Sequence, residues 1–235
     1  MENLQDKPTA KEDSLTKSLA VPMQRRMFMR YAGATAAVTT LLFATSCDDD
    51  DDSPTDPMAV DLGSGDTGIL NYAYALEQLE AAFYAEVVAK SLSMFSQAEQ
   101  QIMQDIKGHE GIHRDFLKAA LGTSAIPNLE VNFSAINFND KNSILTTART
   151  FEDLGVAAYN GAGKLLENAG FLTLAGKIVS VEARHAAVIR DLISNGTFSD
   201  SANEKGLDPA MAPADVLAAA APFIKTKITA NNLPK

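Results

Sequence analysis

Cysteine is almost absent from this sequence. Cys47 is the only one. That excludes an internal disulfide framework, a thiolate zinc site and an in-chain iron–sulfur cluster. Tryptophan is missing altogether, and positive charge is scarce: 20 Lys and Arg stand against 30 Asp and Glu, a net charge of −10. Phosphate backbones need clustered Lys and Arg, so no nucleic acid is expected as a partner. Long apolar runs are lacking too, and none reaches the roughly 18 residues of a membrane-spanning helix. What is there is globular composition, 46% hydrophobic and 21% charged over 235 residues. That length suits one generous domain or two small ones.

The first segment reads as an address. Arg25-Arg26-Met27-Phe28-Met29-Arg30 is followed by a short, weakly apolar stretch from Tyr31 to Ser46. The pattern resembles a bacterial twin-arginine export signal; a basic arm ahead of a surface helix is the plainer alternative. Ala44-Thr45-Ser46-Cys47 resembles a lipoprotein cleavage box, with Ala44 where Leu is usual. In such a box the Cys becomes the new N-terminus and carries lipid. The acids Asp48–Asp52, followed by Ser53, Pro54, Thr55, Asp56 and Pro57, form a solvated, extended tether. The expected organisation is a signal peptide over 1–46, a tether over 47–64, a helical bundle over 65–196 and a C-terminal extension over 197–235. The resemblance implies an exported protein, periplasm-facing or an outer-membrane lipoprotein, held to the membrane through Cys47.

Beyond the tether the pattern is all-α. Apolar residues recur at helical spacing over 65–92, with Asp66 or Thr67 as cap. Ser96 and Glu99 form a capping-box pair that opens a second helix, which Gly122 ends. Spacing predicts a third helix over 142–168, a fourth over 171–195, and a short fifth from Pro213 to near Pro222. The first and third links are short, which makes two antiparallel hairpins. The link over 123–141 is long enough to travel back along a bundle, and carries Val131, Phe133, Ile136 and Phe138. The stretch Val216–Ala221 reads as a docking face.

The apolar seams hold charge where charge is costly. The second helix runs Ile102, Ile106, Glu110, His113, Leu117, Leu121. The fourth runs Ile178, Glu182, His185, Ile189, Leu192. The first carries Glu77 and Glu80, and the third Glu152. Buried carboxylates without partners cost several kcal/mol or more and repel one another, and a pair of divalent cations neutralises them. An internal repeat sharpens the pattern. Glu77-x-Leu79-x4-Tyr84 matches Glu152-x-Leu154-x4-Tyr159, and Glu110-x-x-His113 matches Glu182-x-x-His185. Glu77 pairs with Glu152 in this repeat, whereas Glu80 pairs with Gly155. Glu77 is therefore the expected ligand and Glu80 a possible further one. His109 lies outside the stripe and reads as a surface or outer-sphere residue. Asp153 and Glu86 read as solvated helix faces.

One Glu from each of two helices plus Glu-x-x-His from each of the other two resembles the di-iron or di-manganese set of ferritin-like proteins. Leu76-Glu77-Gln78-Leu79-Glu80-Ala81-Ala82-Phe83-Tyr84 and Phe151-Glu152-Asp153-Leu154-Gly155-Val156-Ala157-Ala158-Tyr159 resemble the branch that includes the desiccation-related proteins. So does the tail from Pro213-Ala214-Asp215-Val216-Leu217 to Pro222-Phe223-Ile224. The resemblance implies an up-down four-helix bundle with one long crossover and a short fifth helix. It implies two iron or two manganese ions, with Glu110 and Glu182 bridging, Glu77 and Glu152 on one metal each, and His113 and His185 capping one each. Tyr84 and Tyr159 are expected to hydrogen-bond behind the ligands, or to be redox-active. The implied partners are dioxygen or hydrogen peroxide and an unidentified electron donor. The implied chemistry is ferroxidase, peroxidase or catalase-like, in oxidative or desiccation stress. A rubrerythrin-type peroxidase is disfavoured because no Cys pair exists to form an electron-donating centre. A lipid tether suits a monomer or small homo-oligomer better than a mineral-storing cage. Whether the protein is an enzyme stays open, since a metal-free bundle of structural or partner-binding role has the same helices.

Overall fold

The computed structural model describes residues 59–235. Arg25, Arg26, Cys47 and the acidic run 48–52 lie outside the described residues. Five helices follow in order: α1 (Gly65–Lys90), α2 (Gln97–Leu121), α3 (Lys141–Gly163), α4 (Ala169–Ile193) and α5 (Pro213–Ala220). α1 packs along α2 and α3 along α4, so two hairpins make the bundle, and α5 leans on α3. Among the described residues no helix is long and apolar enough to cross a membrane.

Helix ends follow local chemistry, with some departures from the sequence pattern. At α2 the capping box forms: Ser96 Oγ accepts from Glu99 N, and Glu99 accepts from Ser96 N. Asp66 and Thr67 do not cap α1. Its N-cap is Ser64, without a side-chain bond. Asp66 instead reaches the turn between α3 and α4 and accepts from Glu167 N and Asn168 N at 2.8 and 2.9 Å. The third helix ends at Gly163, earlier than its spacing predicts. The Asn168 side chain accepts from Gly170 N and Phe171 N, and so opens α4 at Ala169.

The long link over 125–140 runs along α1, whose middle from Gly68 to Ala81 is buried throughout. A buried loop must place its polar backbone groups, and three α1 and post-α1 side chains receive them. Asn71 accepts from Ile126 N at 3.0 Å and donates to Leu62 O and Ser124 O at 3.1 and 2.9 Å. Gln78 accepts from Leu129 N at 2.8 Å, and Ser91 donates to Phe138 O at 2.6 Å. Phe133 and Phe138 meet Phe83 edge-on or tilted, and Phe151 lies edge-on to both Phe83 and Phe223.

The C-terminal extension closes the fold. Val216 and Ala220 of α5 are fully buried, as expected of a docking face. Met211 N donates to Ala157 O at 2.9 Å. That approach requires Gly161, since a Cβ there would lie 1.7 Å from Met211 O. The last residues of the expected tether belong to the fold. Val60–Asp61 forms β1 and pairs in parallel with β2 (Ile228–Thr229), and Leu62 is fully buried.

Candidate metal centre

The four seams converge midway along the bundle. Glu77, Glu110, Glu152 and Glu182 are each 0% exposed, and His113 and His185 are buried among them. Two groups of ligand atoms form, each within 4.8 Å of one another: Glu77, Glu110, His113 and Glu182, and Glu110, Glu152, Glu182 and His185. Glu110 and Glu182 belong to both. Contacts across the core fix the helix directions. His113 Nδ1 lies 2.8 Å from Glu182 Oε1, and His185 Nδ1 lies 2.8 Å from Glu110 Oε1. α2 and α4 are therefore antiparallel neighbours across the centre.

The tyrosines cross over in the same sense. Tyr84 of α1 donates to Glu152 Oε1 of α3 at 2.5 Å, and Tyr159 of α3 donates to Glu77 Oε1 of α1 at 2.6 Å. Each outer carboxylate thus has one oxygen occupied by a phenol and one oxygen left over. Those leftover atoms, Glu77 Oε2 and Glu152 Oε2, are buried without a hydrogen-bond partner. By hydrogen-bond geometry so are both oxygens of Glu110 and of Glu182, and the Nδ1 atoms of His113 and His185, although each Nδ1 lies 2.8 Å from one of those oxygens as an ion pair. Buried polar atoms in proteins are nearly always satisfied. Eight unsatisfied donor atoms from six side chains, arranged in two overlapping groups, fit a pair of metal ions. Four carboxylates carry the charge that two divalent cations cancel, and hard oxygens with imidazole nitrogens suit iron or manganese.

Without metal the cluster strains its own protonation. Burial, with the nearby Glu182, pushes Glu77 well above the usual carboxylate range. Burial likewise lifts Glu152 to about 8. For His113 and His185, burial alone would lower the pKa, but the carboxylates crowding each ring raise both to about 12. Burial works against the charge of Glu110 as well, yet His113 and His185 beside it bring it down to about 2.

Glu80 stands beside both groups and in neither. It is buried, and its carboxylate fills the space left by Gly155, where a Cβ would come within 3.1 Å of Glu80 Oε1. His109 touches the centre from outside. Its Nδ1 lies 2.9 Å from His185 Nε2, and the two rings stack at 5.2 Å with planes 8° apart. The sequence carried a signal for this contact: His109 and His113 are four residues apart and share a helix face. Asp153 is not a solvated face. It pairs with the buried Arg190 at 2.6 Å, locking α3 to α4. Glu86, by contrast, is half-buried at the surface and pairs with Lys90 one turn on.

A helical bundle with a crossover and inward-facing Glu and Glu-x-x-His groups defines a scaffold whose buried carboxylates and imidazoles could hold metal ions. The family model described as ferritin-like domain matches residues 65–195, and the chain belongs to that family. No curated protein matches it in a sequence comparison.

Proposed function

We propose that this is an exported, lipid-tethered ferritin-like protein whose two iron or manganese ions react with dioxygen or hydrogen peroxide, as a ferroxidase, peroxidase or catalase-like enzyme, in oxidative or desiccation stress. The observation that carries the reading is the set of eight buried donor atoms without hydrogen-bond partners. In it Glu77 Oε2 and His113 Nδ1 would help hold one metal and Glu152 Oε2 and His185 Nδ1 the other, with Glu110 and Glu182 common to both groups. A pair of ions bound there would supply a shared two-electron change. The chain's part is to hold the donors. Tyr84 and Tyr159 fix which oxygen of Glu152 and Glu77 faces inward, and His109 orients His185. The apolar layers above and below exclude bulk water.

A second reading has one observation in its favour. Protonated His113 and His185 each touch a carboxylate at 2.8 Å, which offsets part of the buried charge in a metal-free structural bundle. Elemental analysis decides between them, on full-length protein folded with iron and manganese both available. About two metal ions per chain supports the dinuclear centre, and their identity divides iron from manganese chemistry. Protein that stays empty after reconstitution, with a melting temperature indifferent to metal, favours the structural bundle.

A further inference from the structure

The repeat makes the two ends of the bundle comparable, and they are not alike. In the layers next to the centre the halves match: Ala73 corresponds to Ala148, Leu117 to Ile189 and Ile178 to Ile106. One layer further out they diverge. At the end formed by the C-terminal turns of α1, Phe83, Val87 and Val88 stand on α1, Met103 on α2 and Leu192 on α4. Their counterparts at the other end are Ala158, Ala162, Gly163, Ala175 and Ala120. Five large side chains are replaced by five small ones.

The first end is filled: Phe83, Val87 and Met103 are each 0% exposed. The second end is hollow. A cavity of about 30 Å³ lies there, walled by the five small residues and by side chains such as Leu76, Phe171, Leu174 and Tyr159. Its inner wall is buried, while Phe116, Ala120, Phe171 and Leu174 at its rim are half-buried between α2 and α4. Tyr159 connects it to the centre, because its hydroxyl donates to Glu77.

We propose that this cavity binds dioxygen and passes it to the metal centre, a proposal that rests on the reading in the preceding section. The walls select by polarity. A water or a peroxide needs two or more hydrogen-bond partners to enter without penalty. Among the wall residues with side-chain hydroxyls, Tyr159 is committed to Glu77 and Tyr72 offers at most one group, which has no partner of its own. Dioxygen loses no hydrogen bonds on entry. The volume exceeds the roughly 10–15 Å³ that one water-sized molecule needs and is far below the ~150 Å³ of a cavity that takes benzene. A small apolar diatomic fits, and an aromatic substrate does not.

The test fills the hollow end with the residues of the full one. Crystals of the wild-type protein are pressurised with xenon, which binds dry apolar cavities whether or not metal is present. Xenon is expected between Ala158, Ala162 and Ala175, and absent in Ala162→Val/Ala175→Met. Loaded with iron and reduced, the double variant is expected to react with dioxygen at least about tenfold more slowly than wild type, while its reaction with hydrogen peroxide stays within about twofold. Ala175→Met alone, at a half-buried position, is the milder variant should the double one not fold, with the same expected direction. No xenon in wild-type crystals overturns the cavity. Xenon bound, with dioxygen and peroxide slowed alike or neither slowed, overturns dioxygen as its occupant. A loaded protein inert to both oxidants overturns the functional reading and the occupant with it, whereas the cavity itself stands or falls on xenon alone.

Discussion

The hairpin α1–α2 and the hairpin α3–α4 supply the same parts to the centre in different surroundings. Each gives a Glu, a Glu-x-x-His and a Tyr, and each Tyr braces the other hairpin's Glu. Outside those positions the halves part. Glu80 has Gly155 as its counterpart, and His109 has Val181. α1 lies under the crossover, and α3 lies under α5. The inner parts match because both halves line one buried cluster of carboxylates and imidazoles. The rest differs because the two halves face different neighbours.

The largest effect should come from removing what the halves share. Glu110→Ala with Glu182→Ala takes one donor pair from both groups, and metal content should fall from about two ions per chain to none. Elemental analysis reads this directly, and a double variant that keeps two ions sinks the bridging assignment. Next comes the contact present on one side only. His185 faces the carboxylates through Nδ1, so its Nε2–H donates to His109. His109→Ala should weaken one of the two metals by about 10–100-fold and leave the other, as competitive titration resolves. His109→Gln, whose amide oxygen also accepts, should recover part of the loss, and Val181→Ala should leave both affinities alone. Equal weakening of both metals would mean that His109 props up the bundle and not His185.

The tyrosine pair tests equality. Tyr84→Phe and Tyr159→Phe each remove one hydrogen bond to a buried carboxylate, and each should cost about 1.5–3 kcal/mol in denaturant unfolding. Losses that differ widely would break the two-fold correspondence. The smallest effect concerns Glu80 and depends on pH. Burial, reinforced by Glu110 and Glu182, holds its pKa well above the ordinary carboxylate value. Folded metal-free protein then keeps a proton that the unfolded chain releases at about pH 4.5. Stability tied to that proton is full at lower pH and is lost as pH rises. Metal-free Glu80→Gln should therefore melt a few degrees above metal-free wild type at about pH 8, with the gap closing toward about pH 4. A gap independent of pH would assign the effect to packing.

Much of the centre was legible in the sequence because its rule is local. A Glu and a His three residues apart inside an apolar stripe already share a face, and the repeat preferred Glu77 to Glu80. The grouping of Glu77 with Glu110, His113 and Glu182, and not of Glu80, agrees with that preference. Ser96 and Glu99 were legible for the same reason. What was not legible depends on partners far along the chain. Asp66 looks like a cap until the turn over 164–168 arrives beside it. Asp153 looks solvated until Arg190 folds across it. Nothing near Val60 announces that Ile228 will pair with it. The hollow end was visible only as small residues, which are ordinary in helices. It took the filled end to give them meaning.

The crossed bonds from Tyr84 to Glu152 and from Tyr159 to Glu77 mean that neither hairpin completes a site alone. A single hairpin meeting its own copy about a two-fold axis would bring every needed part, since each half holds what the other lacks. In such a dimer every side chain serves two places at once, so a large residue closes both ends and a small one opens both. Joining the halves in one chain lifts that restriction. Position 80 can be acidic while position 155 is glycine, one imidazole can be braced while its twin is not, and one end can be sealed while the other stays open. Covalent linkage is what lets a symmetric core have a front and a back.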